Sequence, residues 1–70
     1  MYTEKEKQQA INEAINIAKN GTKEEKEQFV EWCCAALKWN STIISKEARE
    51  ASALVEAQYK AYLNTLKKIN

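Results

Sequence analysis

Four groups of residues in this 70-residue chain have the types that chemistry uses: the pair Cys33-Cys34, the tryptophans Trp32 and Trp39, a lysine-rich turn around Asn20-Gly21-Thr22-Lys23, and Asn40. A catalytic thiol needs a neighbouring base to make thiolate, and the chain has no histidine. A zinc site needs three or four ligands, which two cysteines without histidine do not reach. The cysteines are adjacent, so they close no useful loop between them. Cys33 falls inside an apolar arc and Cys34 at its edge, where a thiol acts as a small hydrophobe. The many carboxylates lie outside the apolar stripes, so none is singled out for acid–base work. No Ser/His/Asp set, glycine-rich loop or HExxH motif occurs. No enzyme activity, cofactor or metal is expected.

The tryptophans lie seven residues apart, on nearly the same face of a helix. An aromatic stripe at helical spacing usually packs, in a core or a subunit interface. The sharper alternative is a ligand wall, in which an indole stacks on a flat base for about 1–3 kcal/mol. Lys19, Lys23 and Lys26 surround the free amides at a helix start, which attract anions. Glu24, Glu25 and Glu27 occupy the same first turns and already complement the dipole, so a solvated cap is the favoured reading. Asn40 projects into the apolar arc of the same helix. It can fix register, as a buried asparagine does, or hydrogen-bond a ligand.

Three helices must position these groups. Proline is absent, glycine occurs once, and Ala, Glu, Lys, Gln and Leu dominate, a composition that favours helix. The first helix is expected over residues 4–19, with Thr3 and Glu6 as a capping box. Ile11, Ala14, Ile15 and Ala18 form its stripe. Asn20-Gly21 ends it, with the glycine expected in the left-handed conformation of a C′ position. Thr22 and Glu25 make a second capping box, so helices one and two are expected to fold back as a hairpin.

Helix two is expected over residues 23–43. Phe29, Trp32, Ala36, Trp39 and Ile43 form one stripe, and Val30, Cys33, Leu37 and Ile44 another beside it. Together they cover about half the circumference, more than the ~100° a surface helix needs. Helix one can cover one stripe, so a third helix or a second copy of the chain must cover the other. Helix three is expected over residues 46–68, capped by Ser45, with Glu47 in its first turn and Lys67 and Lys68 in its last. Its main stripe is Ala48, Ala51, Val55, Tyr59, Tyr62, Leu66 and Ile69. Ala53, Leu54, Ala57 and Ala61 form a small-residue face, read either as exposed helix formers or as a contact for another subunit. Asn40, Ser41 and Thr42 compete for backbone hydrogen bonds, so a break is favoured over one continuous rod.

The fold class is therefore all-α, a helical hairpin plus a third helix in a three-helix bundle. A chain this short buries only about 60% of its unfolded surface. Such proteins usually add a staple, and with disulfide and metal excluded, a homo-oligomer is the expectation. Eleven basic and ten acidic residues leave a net charge of +1, a poor footprint for DNA or RNA. No apolar run approaches 18 residues, so no membrane span is expected. The charged start MYTEKEKQQ is unlike a signal peptide, the Asn20 and Asn40 glycosylation triplets read as coincidental, and a cytoplasmic location is the default.

One resemblance adds a functional lead. Glu25-Lys26 stands at the turn, Ala36-Leu37-Lys38-Trp39 follows, and Ile44 closes the pattern. Over residues 11–44 the chain resembles the phage anti-CBASS and anti-Thoeris sponges, whose hairpin has a Ser-Arg-Glu-Arg/Lys turn and a helix ending Glu-Ala-Leu-Met-Trp-Ala-Asn-Lys-Ala-Ile. Glu31-Trp32-Cys33-Cys34-Ala35 replaces the family's Thr-Lys-Leu-Glu-Glu, and Asn40 follows Trp39 directly. The resemblance implies a phage-encoded oligomer, working in the host cytoplasm, that sequesters a cyclic nucleotide immune signal without cleaving it. Trp39 and Lys26 are then ligand-binding residues by the match, and Lys23 and Asn40 by their chemistry. Phe29, Trp32, Ile43, Leu54 and Ala61 are the expected interface. The competing expectation is a protein–protein inhibitor or adaptor that binds a host or bacterial protein through its helical faces.

Overall fold

The computed structural model describes residues 2–42 and 45–69, and Ile43 and Ile44 lie outside the described residues. Three helices follow one another: α1 (Glu4–Asn20), α2 (Lys23–Ser41) and α3 (Lys46–Ile69). The fold is all-α, a compact three-helix bundle. Among the described residues, no helix is long and apolar enough to cross a membrane.

The ends of the helices are set locally. At α2, the Glu25 amide donates to Thr22 Oγ1 at 3.1 Å and the Thr22 amide donates to Glu25 Oε1 at 3.4 Å. Both halves of the expected capping box are present. At α1 only half of it forms. The Glu6 amide donates to Thr3 Oγ1, but the Glu6 carboxylate accepts from the Thr3 hydroxyl instead of the Thr3 amide. Ser45 caps α3 by accepting from the Ala48 amide at 3.1 Å. The expected break between α2 and α3 is present, and its cause is visible. Thr42 turns its hydroxyl back onto the Trp39 carbonyl at 2.7 Å, and its amide bonds the same carbonyl at 3.1 Å. That tight turn competes with continued helix, as Ser and Thr side chains do.

Gly21 corrects the sequence reading. Its backbone is extended (φ −70°, ψ 152°) rather than left-handed, and no described residue has positive φ. Its amide still closes α1 by donating to the Ile17 carbonyl at 2.9 Å. Glycine is required here for space. A Cβ at this position would stand 2.5 Å from the Ile17 carbonyl oxygen and 3.2 Å from Ile17 Cγ2.

The packing order also differs from the hairpin expectation. α3 packs along both other helices, whereas α1 and α2 touch each other little beyond their turn. Three helices abreast, with axes about 8–10 Å apart, would span roughly 21–25 Å between outer Cα atoms. The observed extents are 37 × 24 × 16 Å, so the cross-section is wider one way than the other but is no single flat layer, and α3 is the helix on which both others pack. The residues explain this. α1 offers Ala14 and Ala18 to the core, both fully buried. Methyl groups let α3 come close to α1 and fill little of the space toward α2. α3 supplies Val55 and Tyr62, and α2 supplies Phe29 and Cys33. Phe29 and Tyr62 meet in a tilted pair with ring centroids 4.9 Å apart, a geometry that aromatic quadrupoles favour.

Two buried polar residues on α3 were absent from the apolar pattern. Gln58 crosses to α1, donating to the Ala10 carbonyl at 3.1 Å. Thr65 satisfies its hydroxyl on the Ala61 carbonyl one turn back, at 2.8 Å. Such local or cross-helix bonds remove the cost of burying a polar group. Ile69, assigned to the α3 stripe, is 55% exposed at the end of the helix.

The Gly21 geometry predicts that Gly21→Ala and Gly21→Asn both destabilise the fold, by about 1–3 kcal/mol in chemical denaturation, as overpacking does. A left-handed site would instead tolerate asparagine well. Unchanged stability of Gly21→Asn would contradict the extended conformation.

Candidate functional site

The width of the apolar arc on α2 has a direct structural outcome. α3 covers the part carrying Phe29, Cys33 and, in part, Val30 and Leu37. Trp32 and Trp39 fall outside that cover, 52% and 66% exposed. Trp32 still leans on the core, its ring centroid 6.3 Å from that of Phe29. Exposed Ala35 and half-buried Ala36 lie between the indoles on the same flank. Trp32, Ala35 and Trp39 therefore form an exposed apolar strip, bordered by Ala36, which packs partly against the core.

The other expected binding residues do not converge with Trp39. Lys23 and Lys26 sit in the first turn of α2 and line an open depression of about 530 Å³ with Glu27, Val30, Glu31 and Tyr62. Trp39 and half-buried Asn40 occupy its last turn. Lys26 and Trp39 are thirteen residues apart, which is roughly 20 Å along the axis and about 140° around it. One chain therefore does not assemble the set. The depression also holds two carboxylates against two ammonium groups, so it offers an anion no net charge.

The expected interface residues divide similarly. Phe29 is a core residue, 8% exposed and packed on Tyr62, so its side chain is committed within the chain. Trp32 is available on the surface. Leu54 is half-buried in a mostly apolar cleft of about 390 Å³ between α1 and α3, with Tyr2, Ile11 and Ala57 as further walls and Lys7 and Glu50 at the rim. Ala61 is half-buried, and Ile43 lies outside the described residues. The cleft itself was missed. Ile11 and Leu54 were each read as apolar, but their meeting depends on how α1 crosses α3.

The cysteines separate as the periodicity implied. Cys33 is fully buried and Cys34 exposed, and both are free. Burial pushes the Cys33 thiol up from 9.0 to about 11, and the neighbouring Cys34 adds to the rise. A thiol held neutral in this way is a packing group, not a nucleophile. Tyr62 is raised from 10.0 by burial first, then by Tyr59 and Cys33. Among the described residues, no three His, Cys, Asp or Glu side chains gather closely enough to hold a metal ion.

These thiols give two linked expectations. A maleimide labels Cys34 in the native chain and reaches Cys33 only on unfolding. Cys33 keeps its proton in the folded state to higher pH than in the unfolded state. Its contribution to stability is therefore complete below pH 9 and is lost between about 9 and 11. Cys33→Ala should flatten that first part of the alkaline decline, leaving the later part from Tyr62. Equal labelling of both thiols in the native state would refute the burial of Cys33. No family model matches the chain, and no match was found among curated proteins or solved structures.

Proposed function

We propose that this chain is a non-catalytic helical binding protein that works through the indole flank of α2, docking it against another helix. The observation that carries this reading is the pair of tryptophans, 52% and 66% exposed on one flank. A tryptophan holds up to about 250 Å² of burial potential. Two in line are the kind of aromatic anchor that dominates interface energetics. Their seven-residue spacing suits a helix partner, which meets a straight flank through successive turns. Cys33 offers no reactive thiolate and the depressions are charge-balanced or apolar, which favours docking over chemistry.

Sequestration of a cyclic nucleotide is the second reading. It is supported by the resemblance of residues 11–44 to the phage sponges, and the placement of the ligand set decides what it requires. Trp39 with Asn40 and Lys23 with Lys26 occupy opposite ends of α2. A binding site that uses all four needs at least two chains. Both readings therefore make the same first demand, which is that α2 acquires a partner.

Two measurements separate the readings. Concentrating the chain, followed by sedimentation equilibrium and tryptophan emission, should give a mass above 8.1 kDa with a blue shift as the indoles leave water. Trp39→Ala should abolish most of that shift while costing the isolated fold little, since the side chain is 66% exposed. Phe29→Ala should cost about 3–5 kcal/mol, as a buried aromatic does. A thermal scan against cyclic di- and trinucleotides tests the second reading, because a tight ligand raises the melting temperature by mass action. A constant 8.1 kDa mass, unshifted emission and no thermal response would overturn both.

A further inference from the structure

We infer that the partner of the α2 flank is a second copy of this chain, paired antiparallel about a two-fold axis between Ala35 and Ala36. The inference rests on the reading of that flank as a docking surface, and it specifies the occupant. The segment Trp32-Cys33-Cys34-Ala35-Ala36-Leu37-Lys38-Trp39 has a symmetric pattern of sizes on its exposed side. Large indoles stand at both ends and two methyl side chains at the centre. A two-fold axis through the midpoint places Trp32 of one copy against Trp39 of the other, and each central alanine near its own counterpart. This is the isologous arrangement of a symmetric dimer. The alanines allow the axes to approach to the short end of the usual 8–10 Å, and the indoles then close over both ends of the contact.

Charge supports the same direction. Exposed Glu31 and Lys38 lie on one side of the strip, seven residues apart. Antiparallel pairing brings like flanks together, so Glu31 of each copy faces Lys38 of the other. Parallel pairing about a two-fold axis would instead set the Glu31–Lys38 flank of each copy against the opposite flank of the other and lose that match. Antiparallel helices also oppose their macrodipoles favourably. The area is sufficient for a specific contact. With the observed exposures of 52% and 66% on about 250 Å² each, four indoles contribute roughly 600 Å². That is more than half of the ~1,000 Å² that marks a specific interface, before the alanines and the stems of Glu31 and Lys38 are counted.

Cross-linking tests the register. In a Cys34→Ser background, Ala35→Cys places thiols on both sides of the axis, and mild oxidation of the native protein should yield a covalent dimer. Gln28→Cys in the same background should not cross-link, because the two sites would be roughly 22 Å apart along antiparallel helices. Each tryptophan-to-alanine change should weaken dimerisation by about thirtyfold or more, with the helical circular dichroism of the chain retained. Efficient cross-linking at Gln28→Cys indicates parallel pairing and overturns the inference. A dimeric mass with no cross-link at Ala35→Cys puts the contact on another face and also overturns it, while the binding role survives on different residues. A single-chain mass at every concentration overturns this inference together with the reading beneath it.

Discussion

α3 is gripped from two sides by residues of very different size, and the rest of the structure depends on that asymmetry. Against α1 it meets the methyl groups of Ala14 and Ala18, close enough for Gln58 to reach the Ala10 carbonyl. Against α2 it meets the Phe29 ring, which stacks at an angle on Tyr62. Tyr62 is 3% exposed and Cys33, beside the same contact, fully buried. The middle position of α3 follows, and α1 and α2 are kept apart by the helix they share. A tighter triangle would let α1 cover the second flank of α2. The observed packing leaves it open. The bare indoles are therefore the direct consequence of where the large side chains of the core were placed.

The parts of this fold that were legible in the sequence are those decided within one turn of helix. Thr22 with Glu25, Ser45 before Ala48, and the Thr42 turn each involve residues three apart, and each forms as its side-chain chemistry requires. Gly21 shows the boundary of that logic. A glycine after a helix signals a stop, but the same stop is reached by a left-handed residue or by an extended one under close steric contact. The choice lies with Ile17, four residues back. Gln58 and Thr65 were invisible to apolar periodicity because their burial depends on partners, one across the bundle and one a turn away. The excess apolar width of α2 was legible, and so was the need for cover. Which stripe α3 would take was not, because that depends on helix crossing.

The core also explains why cover for α2 matters energetically. Among the described buried residues, the large apolar side chains are Phe29, Val55 and Tyr62, and the remainder of the buried apolar set is alanine and cysteine. Small residues bring helices close but remove little apolar area from water. A domain of this size with so few large buried groups stands near the limit of independent stability. Docking the indole flank would add aromatic burial to a helix held along most of its length by a single neighbour. Binding and folding are then coupled, since any partner that engages only the native flank stabilises the native state.

The geometry of α2 further links the two functional readings that the sequence set apart. In one chain, the Trp39–Asn40 end and the Lys23–Lys26 end are separated by roughly 20 Å. Antiparallel pairing about Ala35 and Ala36 sets Trp39 beside Trp32 of the other copy; Lys26 of that copy lies six residues further, about 9 Å along the axis but about 120° around it. A dimer built to bury the indoles would thus shorten the axial distance between aromatic and cationic groups of different chains while leaving the lysines on another face of α2. The local balance of charge still constrains what such a composite surface can hold. Glu27 and Glu31 share the depression with the lysines, so a polyanion must displace or outbid two carboxylates, whereas an apolar helix face meets no such penalty. That electrostatic difference places helix docking ahead of nucleotide capture for this sequence, and it would be reversed only in an assembly that turns Glu27 and Glu31 away from the bound anion.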